Sequence, residues 1–461
     1  MFQDLKHLHF IGICGTAMGA VAAALKDRGF VVTGSDEKVY PPISTFLRDR
    51  QIKITEGYSP DNIPADTDLI VVGNAISRGN IEVEAVLNRK LTYLSMPETL
   101  KLFFLSGRHN LVVTGTHGKT TTTSLLTWIL QEAGLEPAYL IGGIAKNLGQ
   151  GCSLHASKFA VIEGDEYDTA FFDKRSKFLH YLPEFVIVNN IEFDHADIFE
   201  NLDAIKLSFR RLLNIVPSEG MVLINGDDQN CIDVARDCRA ELVEVGFSEN
   251  AARHIRDVSY DSGGSHFTLL DHPFRTAMMG EYNVRNAAMA ISAAHFYGVS
   301  LDVIAKALDT FQGIKRRQEI RGTVHEITII DDFGHHPTAI RETLRGLRHR
   351  FPGRRLWALF EPRSNTTRRA VFQQELPRAL AEADGVILSQ VARMEQLQPD
   401  QRLDPMKVIE DIAAAGKPAF YEPGADEIVQ RLKPLIRAND VVVILSNGGF
   451  GGIHERLLNE L

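Results

Sequence analysis

The feature that most restricts this chain is the run Gly115-Thr116-His117-Gly118-Lys119-Thr120-Thr121-Thr122. The β-branched stretch Leu111–Thr114 precedes it, and a helical stretch from about Thr120 to Ala133 follows, with Gly134 where a helix C-terminus favours glycine. A strand that turns through glycines straight into a helix belongs to an α/β layer. It aims the backbone N–H groups of the turn, and the positive end of the helix, at one spot suited to phosphate. Lys119 would neutralise the outer phosphates and Thr120 would reach Mg²⁺. Val113 stands where the common phosphate-loop spacing has its first glycine. A plain glycine turn capped by threonines would leave the strand and helix context unexplained.

Two acidic runs follow later strands. Glu163-Gly164-Asp165-Glu166-Tyr167-Asp168 ends the strand Phe159–Ile162, and four carboxylates there can hold a hard cation through oxygen. Asn189-Asn190-Ile191-Glu192-Phe193-Asp194-His195-Ala196-Asp197 ends Phe185–Val188, which makes His195 either a ligand or an ordinary structural histidine. A glycine loop, Gly12 to Gly19, also follows the first strand, Leu8–Ile13. It approaches a dinucleotide fingerprint without its spacing, and Asp36 falls where an acid would meet a ribose hydroxyl.

The last third repeats the alternation. Ile327–Ile330, Leu356–Phe360, Val386–Leu388 and Val441–Leu445 read as strands between helices. Lys315-Arg316-Arg317 suits a phosphate clamp, or else a solvated basic turn. Asp331-Asp332-Phe333-Gly334-His335-His336-Pro337 occupies a strand end, with Pro337 in a first helical turn and His335 and His336 as either functional or N-capping groups. Glu361-Pro362-Arg363-Ser364-Asn365-Thr366 and Ser446-Asn447-Gly448-Gly449-Phe450-Gly451-Gly452 also end strands, where open α/β sheets bind ligands. Arg363 offers a fork for a carboxylate.

A chain of 461 residues has room for about three domains at ~150 residues each. Breaks near residues 107 and 320 divide it into 1–107, 108–319 and 320–461. The expected architecture is α/β, with Rossmann-like first and last domains around a phosphate-loop mixed α/β domain. A net charge of −9 argues against nucleic acid as partner. The four cysteines, Cys14, Cys152, Cys231 and Cys238, are scattered and suit reduced thiols in the cytosol. The uncharged stretch Leu8–Leu25 has the look of a signal peptide, but Gly12, Gly15 and Gly19 break it, so a cytoplasmic protein without membrane association is expected.

The order of these motifs, with GEYNVRN at 280–286, resembles the Mur ligases, the ATP-dependent amide ligases of cell-wall precursor synthesis, over essentially the whole chain. Within that family HFIGICGTAMG, VYPP, GNAISRGN, FFDKRSKF, EPRSNT and SNGGFGGIH resemble the branch that takes a recycled murein peptide rather than free alanine. The resemblance implies UDP-N-acetylmuramate on the first domain, with Gly12, Gly15, Thr16 and Gly19 at its pyrophosphate, Ser35 and Asp36 near uridine, and Asn74 on the same ligand. It implies ATP on Gly115, Thr116, His117, Gly118, Lys119, Thr120 and Thr121, Asn286 at adenine, and Arg317 and Asp332 reaching the nucleotide from the C-terminal side. Thr120, Glu163 and His195 would hold Mg²⁺. Lys119, Arg317 and His195 would be the catalytic groups, and Arg363, Asn447 and Gly448 would face the tripeptide L-alanyl-γ-D-glutamyl-meso-diaminopimelate. UDP-N-acetylmuramate–L-alanine ligation is the alternative within the same fold. Tyr282 replaces the family's usual His, Phe333 a Tyr, and Lys206 is the nearest counterpart of a lysine that some members carbamylate.

Overall fold

A computed structural model describes residues 5–461. The first sheet is all parallel, in the order Lys53–Glu56, Val31–Asp36, His7–Ile11, Leu69–Val72, Tyr93–Ser95. Its first strand stops at Ile11, two residues before the sequence pattern does. Gly12 turns the chain there with φ +84°, a region open to glycine, and the helix Thr16–Asp27 begins four residues on. The apolar run that looked like a signal peptide is therefore a buried strand, a turn and a small-residue helix.

Within the eight-stranded second sheet, six neighbours run Met221–Asn225, Phe185–Val188, His109–Thr114, Phe159–Glu163, Ala138–Leu140, all parallel, then Cys152–Ser153 antiparallel. The strand that feeds the phosphate loop is thus central. The acidic run and the Asn189-Asn190 pair leave from the strands on either side of it. Continuous Val/Ile/Leu burial along these strands is what a parallel sheet covered on both faces requires.

The last sheet has the order Glu319–Val324, Ile327–Asp332, Val441–Leu445, Leu356–Phe360, Gly385–Ser389, Ala419–Glu422. Its first pair is antiparallel and the remaining pairs are parallel. Alternate residues supply two cores. Ile330, Ala358, Phe360, Val443 and Leu445 face the layer that includes Pro337–Arg350 and Pro405–Ala414. Ile329, Trp357, Leu359, Val442 and Ile444 face Ala425–Leu432 and Ile453–Glu460. Three antiparallel strands, Arg256–Asp261, Gly264–Leu269 and His272–Thr276, form a separate small sheet.

The chain packs as two compact units. The first takes the chain up to Gly142, then Gln150–Ile191 and Asp203–Glu244; the second takes Gly143–Gly149, Glu192–Leu202 and Val245–Leu461. Among the described residues no helix is long and apolar enough to cross a membrane.

Candidate active site

In the first unit, Gly115 and Gly118 carry the phosphate loop with φ of +127° and +79°. A side chain at Gly115 would also lie 3.0 Å from the backbone of Asn190. The loop is held from behind: Asn190 accepts the His117 N–H at 2.8 Å through its side chain and the Thr116 N–H at 3.0 Å through its carbonyl. Asn189 donates to the Thr122 hydroxyl at 3.1 Å. These two asparagines brace the loop, a role that the local sequence does not assign to them. Their position at the end of the neighbouring strand was the available signal.

Lys119, 11% exposed at its side chain, donates to the Gly115 carbonyl at 2.7 Å and to Glu166 at 2.9 Å. Burial works against its ammonium, but the charges of Glu166, Asp165 and Glu163 outweigh this and hold its pKa above the ordinary lysine value. The Thr120 hydroxyl donates to Glu163 at 2.8 Å, and the Gly142 N–H donates to the other oxygen of that carboxylate at 2.6 Å. Burial, and then Asp165, push the Glu163 carboxyl above the usual range despite these donors and Lys119. Lys177 also lies 3.6 Å from Asp165, so two lysines face the carboxylates of Glu163, Asp165 and Glu166, and hard oxygen donors of this kind fit a divalent cation. Beyond Glu166, the hairpin Asp168–Ala170 and Asp173–Ser176 lays Phe171 and Phe172 on the core of the first sheet, and Arg175 grips Asp173 through Nε and Nη2 at 2.9 and 2.7 Å.

The glycine loop of the first sheet is drawn tight. Gly12 and Ile13 donate to the Ser35 carbonyl at 2.8 and 3.1 Å, and the Cys14 N–H donates to Asp36 at 2.8 Å. The N–H of Gly19 closes back on Gly15 at 2.8 Å, and Thr16 opens the helix. The Ser35 hydroxyl is buried and donates to Glu82, so this residue braces the loop. Asn74 is exposed on the turn after Leu69–Val72. Lys206 Nζ lies 3.4 Å from Asp233.

The second unit holds the other predicted groups. His195, with φ +53°, sits on the segment Glu192–Leu202, which belongs to the second unit, whereas Thr120 and Glu163 belong to the first. That segment is tied to strand-end loops of the last sheet. Asp194 accepts from Thr366 at 2.6 Å, Asp197 from Asn365 at 2.7 Å, and His336 lies 3.4 Å from Glu192. His336 also caps the helix Pro337–Arg350 by accepting the Thr338 N–H. Asn286 is buried in the helix Glu281–Phe296, its amide donating to Asn283 at 3.3 Å.

Arg317 lies over the Phe333 ring, 5.0 Å from its centroid. Asp332 accepts the Gln318 and Gly334 N–H groups, each at 2.7 Å; burial raises its pKa, against the opposing charge of Arg317 and these two donors. Arg363 lies 3.7 Å from Glu361 and packs across Gly448, where a Cβ would come within 2.6 Å of its Cδ. Asn447 has a buried, unpartnered Oδ1.

Three family models cover most of the chain. They are the Mur ligase family catalytic domain over residues 7–107, the Mur ligase middle domain over 113–294, and the Mur ligase glutamate ligase domain over 316–448. The chain is 43% identical to the UDP-N-acetylmuramate–L-alanyl-γ-D-glutamyl-meso-2,6-diaminoheptandioate ligase of Haemophilus influenzae, over 99% of both chains. It is 41% identical to the protein of that name from Escherichia coli, over 98% of both. The crystal structure of a murein peptide ligase from Psychrobacter arcticus superposes with a TM-score of 0.72 at 36% identity, covering 98% of each chain.

Proposed function

The chain belongs to the Mur ligase family, and from that premise we propose that it joins UDP-N-acetylmuramate to the tripeptide L-alanyl-γ-D-glutamyl-meso-diaminopimelate, driven by ATP. The observation that carries this reading is end-to-end likeness to two relatives bearing that name. The alanine-adding alternative shares the fold and the nucleotide loop, and those relatives support it less. The peptide would come from old cell wall, which makes the reaction a cytoplasmic step of peptidoglycan recycling.

A carboxylate is a poor electrophile, so it is activated first. A carboxylate oxygen of the sugar attacks the γ-phosphorus, the bond to the β-phosphate oxygen breaks, and ADP leaves. The peptide amine then attacks the acyl carbon, gives up a proton, and phosphate departs. There is little covalent work for side chains in the first step; the demand is placement and neutralisation of charge. We assign Lys119 and Arg317 to the transferring phosphoryl group. Gly115, Thr116, His117, Gly118 and Thr121 belong to the phosphate cradle, Asn286 to adenine, and Asp332 to the nucleotide from the C-terminal side. Thr120, Glu163 and His195 are the groups proposed to hold Mg²⁺, which when bound offsets phosphate charge.

Residues 1–107 would take the nucleotide sugar on Gly12, Gly15, Thr16, Gly19, Asp36 and Asn74, with Ser35 bracing that loop. Residues 108–319 would take ATP. Residues 320–461 would present Arg363, Asn447 and Gly448 to the peptide.

The test uses UDP-N-acetylmuramate labelled with ¹⁸O in its carboxylate, incubated with ATP, Mg²⁺ and a panel of amines. One label should pass to inorganic phosphate, and the tripeptide adduct should be the dominant product by mass spectrometry. Unlabelled phosphate would remove the acyl-phosphate route. A panel in which the tripeptide is ignored would remove the substrate.

A further inference from the structure

We infer that Arg316 is a positioning residue that joins the nucleotide side of the second unit to its amine side, so that the tripeptide loop takes its binding shape only while Arg316 holds it. This rests on the assignment of Arg317 to phosphate and of Asn447 and Gly448 to peptide.

Arg316 stands beside Arg317 but points elsewhere. Its Nη2 donates to two carbonyls of the glycine-rich turn, Ser446 and Gly448, each at 2.7 Å. Its Nε lies 3.4 Å from Asp331, which burial would push up but which His454 and Arg316 hold below the usual carboxylate range. Its own N–H donates to Glu319 at 2.8 Å. One planar cation thus closes the turn onto the strand-end carboxylate, holding the turn through Nη2 and Asp331 through Nε, a two-nitrogen span that the single ammonium of a lysine cannot reproduce.

The backbone is bent to allow it. Arg316 and Gln318 have φ of +62° and +47°, left-handed values that cost a non-glycine residue on the order of 1 kcal/mol or more each. They flank Arg317. Asp332 fixes the second bend by accepting the Gln318 N–H, and the Phe333 N–H donates back to the Arg316 carbonyl at 2.8 Å. Both guanidinium groups lie near the same Phe333 ring, at 5.2 and 5.0 Å. A shift of Arg317 toward a phosphate therefore moves the anchor of the 446–448 turn. On that turn, Ser446 donates to Glu361, the Gly448 N–H donates back to Ser446 Oγ, and Arg363 packs over Gly448. Phosphate arginine, anchor arginine and carboxylate-facing arginine form one chain of contacts.

Two variants test this from opposite ends. Arg316→Lys keeps one positive charge but cannot hold the 446–448 carbonyls and Asp331 from two separate nitrogens. Gly448→Ala keeps the Arg316 side chain and drives a methyl group into Arg363 at the turn that Arg316 anchors. For each, steady-state constants are measured for ATP and for the tripeptide, and tripeptide affinity is measured by calorimetry with and without a non-hydrolysable ATP analogue. The expected result is a tripeptide KM raised about tenfold or more in both, an ATP KM changed less than about threefold, and loss of any gain in tripeptide affinity that the analogue gives the parent. Equal rises in both KM values, or an intact analogue effect in Arg316→Lys, would overturn the proposal. If the parent itself ignores the tripeptide, the substrate assignment falls instead, and the same comparison is made with whichever amine the parent uses.

Discussion

The proposed phosphate loop of the first unit and the proposed amine-side loops of the second are built on opposite plans. The phosphate loop is one continuous run. Its glycines, its lysine and its threonines lie within eight residues, and its partners come from the two strands that flank its own. The amine side is assembled from segments far apart in sequence. Arg316 reaches Ser446 and Gly448, Thr366 reaches Asp194, and Arg363 packs on Gly448. A site whose chemistry is common to a family can sit on one rigid, locally encoded loop. A site that sets substrate choice draws on several loops, each of which can vary without disturbing the others.

That contrast is sharpest at Lys119, where the largest effect is expected. Lys119→Ala should lower turnover by roughly 10²–10³, as removal of one electrostatic stabiliser does, while UDP-N-acetylmuramate binding by calorimetry stays at the parent level. Turnover near that of the parent in a folded variant would detach the loop from phosphate chemistry. Next comes Glu163. Glu163→Gln keeps the shape but not the charge, and activation by Mg²⁺ should shift to at least roughly 10-fold higher concentration. Overlaid Mg²⁺ titrations would remove Glu163 from the metal set. Arg363→Ala should act on one substrate only, raising the tripeptide KM about tenfold with the ATP KM little changed, since a ground-state contact on the amine side is lost. Equal changes in both constants would erase the division between the two regions.

A last expected effect concerns stability alone. His9 is buried on the first strand beside Thr33, and burial, with the neighbouring His7, lowers its pKa to about 4. The unfolded chain binds this proton more readily, so stability is complete above the ordinary value of about 6.5 and is lost as pH falls toward 4. Urea unfolding at pH 7 and at pH 5 should differ by roughly 2 kcal/mol more in the parent than in His9→Gln, from about 1.4 kcal/mol per pKa unit. Identical pH slopes would show that His9 does not set this loss.

Sequence and structure agree best where contacts are local. Gly12 turning out of the first strand and Pro337 opening a helix under the His336 cap both follow from residue type and short spacing. What stayed hidden depends on long-range pairing. The asparagines behind the phosphate loop lie about 70 residues from it, and no periodicity marks them as its brace. The Ser35 hydroxyl donates to Glu82, 47 residues on, a pairing that no local pattern marks. Arg316 looked like half of a phosphate clamp; its bonds to a turn 130 residues away required the sheet order to be known. Short unremarkable strands such as Lys53–Glu56 and Tyr93–Ser95 escaped because each relies on its neighbour for burial rather than on its own pattern.

The central claim is that the amine side selects a peptide rather than a single amino acid. The most direct measurement is kcat/KM for L-alanyl-γ-D-glutamyl-meso-diaminopimelate and for free L-alanine, at saturating ATP and UDP-N-acetylmuramate. A peptide carrying several carboxylates should exploit Arg363 and the glycine-rich turn, and free alanine should exploit neither, so the tripeptide is expected to be favoured by roughly 10²-fold or more from two charged contacts. Equal values, or a preference for L-alanine, would contradict the account and make this an alanine-adding ligase.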